Sequence, residues 1–270
     1  MEFSVGGPDG PQKVYAYTGG RPFDPKQPAI VFVHGALHDH SVWTLLARWF
    51  AHHGHAVLAL DLPGHARSDG APHASIEALA SWLLGVLDAA RIGAATLVGH
   101  SMGSLIALAT AALAPRRIDR LVMLGTAFPM AVSPALLAEA REAPLRAIDR
   151  VNALSHSTWA GKPSYPGPGS WLHGGNRALM RGVQAGQRDR NLFLLDFEVC
   201  DAYTGGLEAA KNVTCPVTFV LGERDQMAPP RQAAALATAL HAEVITLPAG
   251  HALMAEAPDE VLAALRRALG

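Results

Sequence analysis

Cysteine is nearly missing from this chain, with two residues, Cys200 and Cys215, among 270. Neither stands in a C-x-x-C or a mixed Cys/His spacing. A thiolate metal site and a disulfide framework are therefore not indicated, and a reducing compartment is expected. Charge of one sign is lacking as well: 22 Lys and Arg against 23 Asp and Glu leave a formal charge of −1. No global field favours nucleic acid or an anionic membrane. The small arginine groups, Arg116, Arg117 and Arg120 or Arg266 and Arg267, fall near the ends of expected helices and read as dipole partners or solvated side chains. The longest apolar run, 105–114, is too short to span a bilayer. Residues 1–10 lack the charged start and apolar stretch of a secretory leader. The expectation is a soluble cytoplasmic protein with no membrane or nucleic-acid partner, and the composition carries no signal for an oligomeric state.

What is abundant is apolar residues, half of the chain by count, ample for a large core. At this length one α/β domain with an insertion fits better than two average domains. Short β-type runs alternate with helical stretches, which implies a mostly parallel sheet with helices on both faces. Strands are expected at 29–33, 56–60, 95–98, 121–124, 217–221 and 243–247. Helices are expected at 42–53, 76–91 with Ser75 as N-cap, 102–114 stopped by Pro115, 231–240 and 258–268. Between 127 and 212 the rhythm stops. Four short helical patterns replace it, opened by Ser133-Pro134, by Pro144, by Asn176 as a cap, and by Asn191. Residues 161–169 (GKPSYPGPG) read as a loop. The expected organisation is a core of 1–126 and 213–270 with a helical cap, 127–212, over the carboxyl ends of the strands, where open α/β sheets place their sites.

The strongest local signal is Gly99-His100-Ser101-Met102-Gly103, directly after one expected strand and before a helix. That context gives G-x-S-x-G its meaning: a sharp, strained turn presents the Ser101 hydroxyl at a helix N-terminus, and small flanking residues let the chain pass. The Met102 N–H would then face a developing oxyanion. A serine nucleophile needs a base. Of 13 histidines, His251 follows the final expected strand in Pro248-Ala249-Gly250-His251. An acid must hold that base, and Asp225 sits just past the 217–221 strand, with Glu223 as the near alternative or as a partner for Arg224. No carboxylate occurs in 125–138, where an acid after the preceding strand would lie. The second oxyanion donor belongs to the loop after 29–33, and the Ala36 N–H is the candidate. His34 reads as a packing and hydrogen-bonding element beneath that loop.

Together HGALHDHSVW, DLPGHARSDG, VGHSMGS, LGERDQMAP and PAGHALMAEAP, in this order, resemble the α/β-hydrolase superfamily, specifically its compact members with a helical lid. The resemblance covers residues 29–270. It implies an eight-stranded, mostly parallel sheet flanked by helices, an initial hairpin from 3–5 and 14–17, and a Ser101–His251–Asp225 triad. One departure is Ala66, where relatives usually carry Gly, which points to a modestly altered turn.

The implied activity is hydrolysis of an ester, thioester or lactone through an acyl-enzyme on Ser101, with a small to medium, largely uncharged substrate and no cofactor or metal. Leu37, His100, Trp159 and Trp171 are the candidate substrate contacts. Tyr165, His156, His173, Met180 and Phe193 could also line an acyl pocket, although Met180 and Phe193 fit cap core better. A nucleophile other than Asp argues against haloalkane dehalogenases and epoxide hydrolases. His100 and Ala252 stand where carbon–carbon bond hydrolases of ring-fission products carry Asn and Trp, which lowers that alternative. The elbow also departs from the GGSWG of proline iminopeptidases. A non-hydrolytic use of the fold, as a lyase or ligand receptor, is the alternative by analogy. His34, His38, Asp39 and His40 (HxxxHDH) offer a weaker dinuclear metal reading, without distant ligands to complete it.

Overall fold

The computed structural model describes residues 1–7, 10–158, 171–187 and 189–270. In chain order these form β1 (Glu2–Gly7), β2 (Gly10–Tyr17), β3 (Ala29–Val33), α1 (Thr44–Ala51), β4 (Ala56–Leu60), α2 (Ile76–Ala89), β5 (Ala95–His100), α3 (Met102–Leu113) and β6 (Ile118–Leu124). There follow α4 (Pro134–Glu142), α5 (Pro144–Ser155), α6 (Leu172–Gly186), α7 (Leu192–Ala202), α8 (Gly206–Ala210), β7 (Val217–Gly222), α9 (Ala234–Ala239), β8 (Glu243–Leu247), α10 (Leu253–Glu256) and α11 (Pro258–Leu269).

The strands make one sheet in the order β1-β2-β4-β3-β5-β6-β7-β8. β1 and β2 form the antiparallel hairpin, with Phe3 opposite Val14, and β2 pairs antiparallel with β4. From β4 onward every pairing is parallel. The central strands are apolar and buried on both faces, as helices on either side require. Alternation sorts their side chains: Val31 and Val33 join the cluster under α2 and α3, while Ile30 and Phe32 join the one under α1 and α11.

Side-chain caps set three of the helix starts. Ser75 accepts the Ala78 N–H, Ser133 the Leu136 N–H and Asn191 the Leu194 N–H. Helices expected at 42–53 and 231–240 each begin instead as a 3-10 turn, at His40–Trp43 and Pro230–Ala233. Two expectations for 127–212 need correction. Asn176 caps nothing, because α6 begins at Leu172 and includes it. Gly174-Gly175 disguises that first turn, which a tertiary contact supports: the buried Asn152 amide donates to the His173 carbonyl at 2.8 Å. A short fifth helix, α8, also precedes β7. A separate apolar cluster joins Ile148, Met180, Phe193 and Phe197 of these helices to Leu37 of the core. The 161–169 loop, Trp159 and Tyr165 lie outside the described residues. Among the described residues no helix is long and apolar enough to cross a membrane.

Candidate active site

The elbow is built from close backbone approach. Ser101, between β5 and α3, takes φ 53° and ψ −121°, outside the ordinary regions for a residue with a side chain. Its N–H is held by the Leu124 carbonyl at 2.9 Å. A Cβ on Gly99 would overlap the Gly103 carbonyl, and one on Gly103 would overlap the Val33 carbonyl, so both glycines of the motif are dictated by neighbouring main chain.

His251 Nδ1 donates to Asp225 Oδ2 at 2.7 Å. The other Asp225 oxygen accepts the Met227 and Ala228 N–H groups, both at 2.8 Å. Burial pushes the Asp225 carboxyl up. His251 and the two N–H groups outweigh that and hold it below the usual carboxylate range. Glu223 is half exposed and pairs with Arg224 instead. Gly250, before His251, is pressed against the end of α5: a Cβ there would lie 2.8 Å from both the Ser155 carbonyl and the Ser157 nitrogen. Glu256 ties the same two segments, taking the Gly250 N–H and, at 2.8 Å each, the Ser157 N–H and hydroxyl.

The loop after β3 passes beside the elbow, with a Gly35 Cβ position 3.1 Å from Ser101 Cβ. Among the described residues neither the Ala36 nor the Met102 N–H has a hydrogen-bond acceptor. His34 lies beneath the loop, donating from Nδ1 to the Gly35 carbonyl at 2.8 Å and accepting the Leu62 N–H at Nε2, 3.1 Å away. Burial first, and His65 next, hold its pKa well below the ordinary value, so it is neutral.

Gly35, Ala36, Ser101 and His251 line a cavity of about 110 Å³, well below the ~300–1,000 Å³ common for ligand pockets. Its apolar wall comes from Met130, Leu136, Val151, Met180, Phe197 and Met227. Among the described residues no Lys, Arg, Asp or Glu lines it. His100 is in the wall, whereas Leu37 is fully buried behind it in the apolar cluster. Trp171 is half exposed, stacks on His173 and does not line this cavity, and Phe193 is core. Met180 belongs to both the core cluster and the wall. The pattern of the sequence passed over the methionines at 130 and 227, which stand in irregular segments without periodicity.

The HxxxHDH stretch does not converge. His34 and His38 point to the Gly35 and Ala36 carbonyls. Asp39, His40 and Asp61 do lie within 4.8 Å of one another. Their oxygens already serve N–H groups, Asp39 capping Ser41 and Asp61 accepting from His40 and Arg67.

A model of the Alpha/beta hydrolase family matches residues 30–264. An sn-1-specific diacylglycerol lipase of Mus musculus is 33% identical over 135 residues, 50% of this chain and 44% of that protein. Esterase YbfF of Escherichia coli is 38% identical over 98 residues, 36% of this chain and 38% of that one. The chain thus spans less than half the length of these curated relatives. Among solved structures, an enol-lactonase from Burkholderia xenovorans LB400 superposes with a TM-score of 0.79 at 25% identity, covering 96% of each chain.

Proposed function

The chain belongs to the alpha/beta hydrolase family, and from that premise we propose that it is a serine hydrolase cleaving an ester, thioester or lactone of a small to medium, uncharged substrate. The observation that carries this reading is that His251, hydrogen-bonded to Asp225, lines the same cavity as Ser101, whose described wall holds no Lys, Arg, Asp or Glu. In the proposed mechanism His251 Nε2 removes the Ser101 proton as Oγ attacks the acyl carbon. The Ala36 and Met102 N–H groups receive the negative charge on the carbonyl oxygen, and each such donor is worth about 2.7–4 kcal/mol of barrier in comparable sites. His251 then protonates the leaving alcohol, thiol or ring oxygen. Water repeats the sequence and frees the acid and Ser101. Asp225 fixes the Nδ1–H tautomer and stabilises the imidazolium without itself taking the proton.

The relatives named as an esterase, a lipase and an enol-lactonase support acyl chemistry. The lack of a cation in the described wall favours an uncharged acyl group, because a buried carboxylate without a partner is strongly disfavoured. The segment 127–212 acts as a cap in this reading, with α5, α6 and α7 supplying Val151, Met180 and Phe197.

The test is p-nitrophenyl ester, lactone and acyl-thioester turnover with fluorophosphonate labelling. Turnover and a single adduct on Ser101, both lost in Ser101→Ala, are expected. Labelling elsewhere, or a Ser101→Ala protein that keeps its turnover, overturns the assignment. Ser101 labelling without turnover of any acyl substrate would shift the reading to a ligand receptor, a lyase or a carbon–carbon bond hydrolase.

A further inference from the structure

The loop that carries Ala36 is held by a helix remote from it in sequence, α7. Leu37 adopts φ 55°, the left-handed region that a leucine avoids. Its N–H donates to Asp196 Oδ2 at 2.8 Å across 159 residues of sequence. Asp196 sits in the middle of α7, in Leu192-Phe193-Leu194-Leu195-Asp196-Phe197, and is 3% exposed. A carboxylate buried this deeply is disfavoured without a strong partner. The partner is His65, whose Nε2 donates to the same oxygen at 3.0 Å. His65 Nδ1 faces the Pro63 carbonyl at 3.1 Å. Both ring nitrogens therefore face acceptors, an arrangement that favours the imidazolium. Burial, the largest single influence, opposes that charge, but the Asp196 carboxylate and the hydrogen bonds outweigh it and raise the His65 pKa.

A second tether runs parallel. His38 Nε2 lies 2.8 Å from Asn176 Oδ1 of α6, and Asn176 Nδ2 donates to Asn152 Oδ1 of α5. Residues 36–38 are thus clasped by the helices between β6 and β7 at two points, and Asp196 is the charged one.

We propose that Asp196 is a positioning residue: without touching the cavity, it locks the Leu37 turn and so aims the neighbouring Ala36 N–H at the carbonyl oxygen of the substrate. This rests on the assignment of Ala36 as an oxyanion donor. It makes the helices between β6 and β7 a structural part of the oxyanion hole, since a shift of α7 would carry the Leu37 acceptor with it. The conformation of Leu37 persists only where its surroundings over-determine it, and Asp196 is the one side chain seen to hold its N–H among the described residues.

The test compares Asp196→Ala and Asp196→Asn in the full chain, using a p-nitrophenyl ester and an ester-mimicking trifluoromethyl ketone whose serine adduct places its oxyanion in the same hole. Misplacing a reacting group by about 1 Å, or removing one donor, lowers kcat on the order of 100-fold. Asp196→Ala is expected to lose about 30- to 100-fold in kcat with KM within about threefold. The trifluoromethyl ketone Ki should rise in parallel with the fall in kcat/KM. Asp196→Asn, whose amide oxygen can still accept the Leu37 N–H, should stay within about tenfold of wild type. Should Asp196→Ala not be recovered folded, Asp196→Glu keeps the charge but moves the carboxylate by one methylene, and the same parallel losses, of about tenfold or more, are expected. Wild-type kcat in the folded variant, or lowered kcat with unchanged inhibitor affinity, overturns the proposal. Failure of the serine hydrolase reading is distinct: it would appear in the wild-type protein, as absent acyl turnover or as labelling away from Ser101.

Discussion

His100 donates its Nε2 proton to the backbone carbonyl of His251 across 2.9 Å, tying the residue before the elbow serine to the candidate base. A carbonyl only accepts, so Nε2 carries the hydrogen. Burial, then the nearby His251 and His38, hold the His100 pKa well below the ordinary value, and the ring is neutral. His100 thereby braces the His251 loop against the end of β5.

His100→Ala should leave the His251 carbonyl without that donor. The unsatisfied buried group alone costs about 1–3 kcal/mol. Ester turnover is expected to fall by on the order of tenfold or more as His251 loses its support. Steady-state kinetics and a urea melt on the same preparation check both effects, and unchanged values in both would remove His100 from the support of the site.

Asp225→Asn should lower kcat by about 10⁴-fold while leaving the folded structure intact, because the amide favours the wrong imidazole tautomer. Glu223→Gln should change it by less than about twofold, since Glu223 is half exposed and meets Arg224 rather than His251. The reverse ranking in initial-rate measurements would show that the acid of the triad has been misplaced.

Ala66 has φ 44° on an exposed turn, in the region that favours glycine. Glycine there relieves about 1–2 kcal/mol of left-handed strain and returns about 0.4–1 kcal/mol through unfolded-chain entropy. Ala66→Gly should therefore stabilise the protein by about 0.5–1 kcal/mol, a rise of about 1–4 °C in Tm. Calorimetry decides it, and a lower Tm would mean that the methyl group makes contacts outweighing the strain.

Stability should fall in mild acid. His34 and His100 have folded pKa values well below the ordinary one. The unfolded chain then binds protons near pH 6.5 that the folded protein refuses, and stability is lost as pH drops from about 6.5 toward those values. Each contributes up to about 1.4 kcal/mol per pH unit in that window. His65 has the opposite sign: its raised pKa contributes stability that is complete below about pH 6.5 and lost as pH climbs through the folded value. Between about pH 6 and 5 it is protonated in both states and cannot offset the other two. Urea midpoints should decline steadily from pH 6.5 to 5, and a flat or rising series there would contradict two neutral buried histidines.

Much of this protein was legible in order along the chain because the signals are local. The strands at 29–33, 56–60 and 243–247 and the Ser75 cap coincide with the structure, since alternation, periodicity and capping act within a few residues. The glycines at 99 and 103 announced a backbone crossing, and neighbouring carbonyls occupy the space their side chains would need. The Gly174-Gly175 pair misled for the complementary reason: propensity is local, whereas the start of α6 is supported by Asn152 from another helix. Nothing local marks Asp196 and His65 as partners across 131 residues, or Asp196 as the acceptor for Leu37. Sequence by itself determined the sheet, the elbow and the order of serine, acid and base candidates. Only the tertiary structure decided which side chains close around the oxyanion loop, because a buried hydrogen bond depends on where two distant elements finally pack.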